Sequence, residues 1–152
     1  YDTEWDNRSI YLHEGWNLIC TPYEEPITED MMPDSVVMPF YSYDNSTGAY
    51  IAEDSIIAGK GYWVLSRMDT FFTLVNPTPQ DTVIWDLLPG WNLVGFNAGM
   101  VATWELPDIP GIIPPLYEYI DGYHPYDYGI PLVETYHAAW ILATDSVRVI
   151  LD

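Results

Sequence analysis

The chain has 152 residues, 49% hydrophobic and 16% aromatic, which is ample for a packed core in one domain or two small ones. Twenty-three acidic residues against four lysines and arginines give a formal net charge of −19. Such a surface repels phosphate backbones and anionic lipid, which argues against nucleic-acid partners. The absence of an apolar run near twenty residues argues against membrane insertion by a helix.

Residues 1–9, YDTEWDNRS, form an N-terminal arm. Its Thr3 and Trp5 are good strand formers on alternating positions, suited to adding a strand to the open edge of a neighbouring molecule. Folding back on the arm's own sheet is the alternative. Ile10-Tyr11-Leu12 then leads into Gly15-Trp16-Asn17-Leu18. Gly15 permits the backbone angles of a turn or bulge, and Trp16 is expected as a large core anchor. Asn17, between apolar neighbours, is expected to be satisfied by backbone groups of an adjacent loop.

Residues 27–36 have room for one short helical turn. Phe40-Tyr41-Ser42-Tyr43 alternates at the period of a strand, and Asp44-Asn45-Ser46-Thr47-Gly48 is a hairpin turn. Gly61-Tyr62-Trp63-Val64-Leu65 supplies a second expected anchor, Trp63, and Phe72-Thr73-Leu74 closes a unit spanning 10–76. Residues 77–82 contain Pro77 and Pro79 and read as a short, stiff linker that holds the halves in a fixed relation.

From residue 83 the landmarks return in the same order. Trp85-Asp86-Leu87 and Gly90-Trp91-Asn92-Leu93 stand 75 positions after their counterparts (91 − 16). Leu116-Tyr117-Glu118-Tyr119 follows at 76 (119 − 43), and Ala138-Ala139-Trp140-Ile141-Leu142 and Val149-Ile150-Leu151 at 77 (140 − 63). A drift of two residues over five ordered landmarks argues for tandem duplication, with 83–152 as the second unit. Residues 103–109 have room for a second short turn, and Asp121-Gly122 is a second hairpin signal. The expected fold is therefore all-β, as two pseudo-symmetric sandwich or barrel-like units. The structural residues are Gly15, Trp16, Asn17 and Trp63, with Gly90, Trp91, Asn92 and Trp140 in equivalent roles.

Little points to catalysis. His13, His124 and His137 are scattered, no metal-ligand spacing, nucleophile elbow or phosphate loop is present, and what recurs is aromatic and glycine. Cys20, opposite Gly95, is expected as a small buried hydrophobe. Calcium is the ligand that the acidity favours, at residues 44–48 or around Glu24, Glu25, Glu29 and Asp30. Strings of this kind are ordinarily solvated turns, so no metal or cofactor is expected. Asn7-Arg8-Ser9 and Asn45-Ser46-Thr47 are glycosylation sequons if the protein is secreted, with Asn45 at a hairpin tip. The chain begins at Tyr1 and not at methionine, as a processed or excised segment would.

Gly15-Trp16-Asn17-Leu18, the Tyr41-x-Tyr43 hairpin and Gly59-Lys60-Gly61-Tyr62-Trp63 resemble a β-rich repeat of secreted and surface-anchored bacterial and archaeal proteins. The resemblance covers most of both units, although Tyr136-His137-Ala138-Ala139-Trp140 replaces the glycine pair in the second. It implies an extracellular module, usually an appendage of larger surface proteins, with no catalytic residues. The leading expectation is a structural or assembly module, associating with itself or with neighbouring domains, as in a surface fibre joined head to tail by the arm. The alternative is a carbohydrate-binding module whose exposed aromatics, Tyr119, Tyr123, Tyr126 and Tyr128 among them, contact glycans.

Overall fold

The structure, a computed structural model, describes residues 9–96, 109–126 and 136–151, with the backbone alone at 126. It is all-β. The first unit runs β1 (Ser9–Leu12), β2 (Gly15–Ile19), β3 (Ile27–Thr28), β4 (Val36–Asp44), β5 (Ala49–Glu53), β6 (Ser55–Ile56), β7 (Tyr62–Ser66) and β8 (Thr70–Thr73). The second runs β9 (Val83–Leu87), β10 (Gly90–Val94), β11 (Ile112–Tyr119), β12 (Tyr123–Tyr126), β13 (Ala139–Ala143) and β14 (Val147–Leu151). The expected turn within residues 27–36 is a single 3₁₀ turn, Glu29–Met31, and its counterpart at 103–109 falls almost wholly outside the described residues.

Each unit stacks a four-stranded antiparallel sheet on a two-stranded one. The orders are β2-β7-β4-β5 over β1-β8, and β10-β13-β11-β12 over β9-β14. Registers repeat as well: Trp16 lies opposite Leu65 and Trp91 opposite Leu142. The β4–β7 ladder shifts between Val37 and Tyr41, and the β11–β13 ladder between Ile113 and Tyr117. Pro39 and Pro115 fall inside these irregularities, where a strand tolerates a residue that cannot donate to the ladder.

The repeated motif has a separate task for each residue. Gly15 and Gly90 turn the chain at φ of +101° and +106°. Asn17 clamps that turn: its Oδ1 accepts from His13 N at 2.9 Å and its Nδ2 donates to His13 O at 3.0 Å. Asn92 repeats this with Leu88, at 3.1 and 2.9 Å. The strand then alternates, so that Ile19 and Val94 enter the cores of their units while Leu18 and Leu93 point to the opposite face.

The tryptophans require a correction. Trp16 and Trp91 are not core anchors: they are 44% and 41% exposed. Trp63 is half-buried, and of the four only Trp140 is buried. The cores are filled instead by aliphatic residues with Phe40 and Tyr62 in the first unit and Trp85, Phe96 and Leu116 in the second. Trp85 is the large anchor; its Nε1 donates to Gly95 O at 2.7 Å and its ring meets Phe96 edge-on at 5.4 Å.

A third apolar cluster, Leu18, Cys20, Leu93, Ala138 and Trp140, joins the two units. Their hydrogen bonds come in equivalent pairs: Gly61 N to Leu93 O (3.4 Å) mirrors Ala138 N to Leu18 O (3.3 Å), and Cys20 N to Tyr136 O (2.7 Å) mirrors Gly95 N to Gly59 O (3.1 Å). The units are thus related by an approximate two-fold axis. Equivalent positions collide on such an axis, and here the duplication is asymmetric. A Cβ on Gly95 would stand 2.7 Å from that of Cys20, and one on Gly61 2.8 Å from that of Ala138. At each pair one copy keeps a side chain and the other is glycine, which accounts for the mismatched positions in the repeat.

Candidate functional site

Alternation along the strands decides what the joined faces present. Phe40, Val64, Leu116 and Ile141 fill the cores, so their neighbours Tyr41, Trp63, Tyr117 and Trp140 fall on the opposite faces, with Trp16 and Trp91 beside them. Where the units meet, these outer faces form two open cavities with aromatic walls.

The first unit's cavity, about 400 Å³, is built on Trp16, Tyr41 and Trp63, with Tyr119 reaching in from the second unit. The second unit's, about 440 Å³, is built on Trp91, Tyr117 and Trp140, with Tyr43 reaching in from the first. Both volumes lie in the range of small-molecule sites. Tyr50 lines both.

The ring contacts repeat with the axis. Trp16 meets Tyr41 at 6.2 Å and Trp91 meets Tyr117 at 5.8 Å. Trp63–Tyr119 and Tyr43–Trp140, the contacts across the units, are both 5.0 Å. Tyr43–Tyr50 (5.4 Å) corresponds to Tyr119–Tyr123 (5.1 Å). These edge-on pairs fix the rings against one another while leaving faces of Trp16, Trp91, Tyr50 and Tyr123 open.

One polar group in this apolar setting lacks a partner. Trp140 is 8% exposed, and its Nε1 is shut off from solvent without a hydrogen bond. Burial raises the Tyr123 pKa, the neighbouring Tyr50 adds to this, and the indole N–H partly opposes them. A buried donor left unpaired costs on the order of 1–3 kcal/mol.

Other residues singled out in the sequence lie elsewhere. Asn45 Nδ2 donates across the units to Trp91 O, so the nitrogen expected to accept a glycan is engaged. Asp44 Oδ1 accepts from Ser46 N (2.9 Å) and Ser46 Oγ (2.6 Å), bonds that hold its pKa below the usual value. Glu25 Oε1 accepts from Thr78 N at 2.8 Å, and its pKa is lowered by the same bond. Among the described residues, no three of His, Cys, Asp and Glu converge to form a metal site. Thr3, Trp5, Asn7, Tyr128 and the Tyr126 side chain lie outside the described residues.

His137 Nδ1 stands 3.8 Å from Glu118 Oε2, and Cys20 Sγ lies against His137, but no nucleophile results. The thiol donates to the His137 backbone oxygen at 3.6 Å, and burial pushes its pKa up to about 12. Sequence reasoning named Tyr119 and Tyr123 as sugar contacts but assigned Trp16, Trp91, Trp63 and Trp140 to the core. Comparison with known families, with curated proteins and with solved structures returned no match.

Proposed function

We propose that this chain is a non-catalytic extracellular binding module that holds carbohydrate in the aromatic groove between its two units. One observation carries the reading: Trp16 and Trp91, at equivalent positions, each stand nearly half exposed beside a tyrosine two strands away in the same sheet. Sugars suit such a surface. Their rings present apolar C–H faces that stack on aromatic rings, and their hydroxyls can pair with exposed phenols such as those of Tyr50 and Tyr123. Substituting both Trp16 and Trp91 by alanine should abolish retention on polysaccharide columns while circular dichroism stays native. Retention undiminished in that variant would refute the proposal.

A second reading, the assembly subunit, draws support from β5 and β12, which end their sheets among the described residues, with Tyr50 and Ile51 exposed on β5. A free edge of this kind accepts an added strand. Sedimentation of the full chain and of one lacking residues 1–8 tests it: fibres that form without the arm, or a full chain that stays monomeric in moderate salt, would remove this reading.

A further inference from the structure

We infer that the two aromatic cavities are subsites of one groove, occupied together by a single uncharged glycan chain. The inference rests on the carbohydrate reading above and narrows it. Four observations lead to it.

Continuity comes first. Tyr50 lines both cavities, and Tyr123, which lines the second, also meets Trp63 of the first at 6.4 Å. A ligand long enough to leave one cavity past these rings enters the other. Each cavity also borrows a tyrosine from the opposite unit, Tyr119 in one and Tyr43 in the other, so both depend on the joined pair.

The second observation concerns shape. Ring planes cross at 60° to 85° in the Trp16–Tyr41, Trp16–Trp63, Tyr43–Trp140, Trp63–Tyr119 and Trp91–Tyr117 pairs. Coplanar rings would make a flat platform for the face of an insoluble polysaccharide. Crossed rings make the walls of a cleft, which admits one chain at a time.

Charge is the third. The walls are aromatic, and the chain as a whole carries −19. Uronates and sulfated sugars would be repelled, whereas a neutral sugar meets no such penalty. The fourth is the pair of exposed phenols at the junction of the cavities, Tyr50 and Tyr123, whose hydroxyls favour a ligand bearing hydroxyl groups over a hydrocarbon.

Two weak subsites filled by one chain reinforce each other, because the second contact forms at high effective concentration. The test is calorimetric titration of the full chain with neutral oligosaccharides of graded length, in glucose, N-acetylglucosamine, mannose and xylose series. Oligogalacturonates and a proline-rich peptide are run alongside. In at least one neutral series, affinity should rise roughly tenfold or more once the chain reaches both subsites, with one chain bound per protein. Trp16→Ala and Trp91→Ala should each return the long chain to short-chain affinity, with near-ultraviolet dichroism confirming the fold.

Two chains bound independently, with no gain from length and with each substitution merely deleting one of them, would overturn this inference and leave the carbohydrate reading standing. Binding of the oligogalacturonates alone would likewise overturn this inference and leave the carbohydrate reading standing, whereas silence across all the sugars, or binding of the peptide alone, would overturn both.

Discussion

Trp85 and Trp91 lie on consecutive strands of one unit, in different sheets, and have opposite fates. Trp85 is 2% exposed, with its indole N–H bonded to Gly95 O and its ring against Phe96. Trp91 is 41% exposed and stands over Tyr117 on the wall of a groove. The two side chains are chemically identical, so size and apolarity do not set the role. The face of the strand does: Trp85 points between the sheets of its own unit, and Trp91 points toward the other unit and solvent.

Stability measurements sharpen the contrast. Trp85→Ala should cost about 3–5 kcal/mol in chemical denaturation, the range for removing a large aromatic from a packed core. A loss near 1 kcal/mol would mean that Trp85 is not the anchor described. Next in size is Gly95→Ala on the pseudo-two-fold axis. The new methyl meets Cys20 Cβ at 2.7 Å and Lys60 O at 2.8 Å, so overpacking should cost about 1–3 kcal/mol. Adding Cys20→Gly should recover part of that loss; a double variant no better than additive would contradict the axis packing.

Alkaline titration probes the same junction. Burial raises the pKa of Cys20 and of Tyr62 to about 12, from ordinary values of 9.0 and 10.0. A folded-state pKa above the unfolded one stabilises at pH below the unfolded value. The contribution of Cys20 should therefore be complete below about pH 9 and fall away as pH climbs toward 12. Thiol labelling at pH 8 should accordingly be negligible until the protein unfolds, and rapid labelling of the native chain would contradict the burial. Smallest should be Trp16→Ala or Trp91→Ala, about 1–2 kcal/mol each, since roughly half of each ring is already in water. A cost equal to that of Trp85→Ala would erase the distinction between the two faces.

Much of this was readable from the residues. The duplication, the all-β class, the Asp44–Gly48 and Asp121-Gly122 turns and the glycine before each tryptophan rest on local chemistry, which sequence records directly. Asn17 and Asn92 were legible for the same reason, because an asparagine between apolar neighbours needs a backbone partner close by. The tryptophan faces were not. In β2 and β10 both faces carry large apolar residues, Trp16 and Leu18 on one and Ile19 on the other, so alternation marks a strand without saying which side is the core.

That choice is made by pairing between units, such as Leu18 with Ala138 and Leu93 with Gly61, contacts far apart in sequence. The mismatches between the copies held the missing signal. Cys20 opposite Gly95 and Gly61 opposite Ala138 are what a symmetric contact demands on its own axis. Joining of the units there puts Trp16 and Trp91 on the groove side.

The central claim is that the outer tryptophans meet ligand and the inner one does not. Indole N–H resonances of the isotope-labelled chain, followed through titration with a neutral oligosaccharide, separate them in one spectrum. The account predicts that Trp16, Trp91 and Trp140 shift together while Trp85 stays in place. A spectrum in which Trp85 moves as far as they do, or in which those three remain fixed across the neutral sugars, would contradict it.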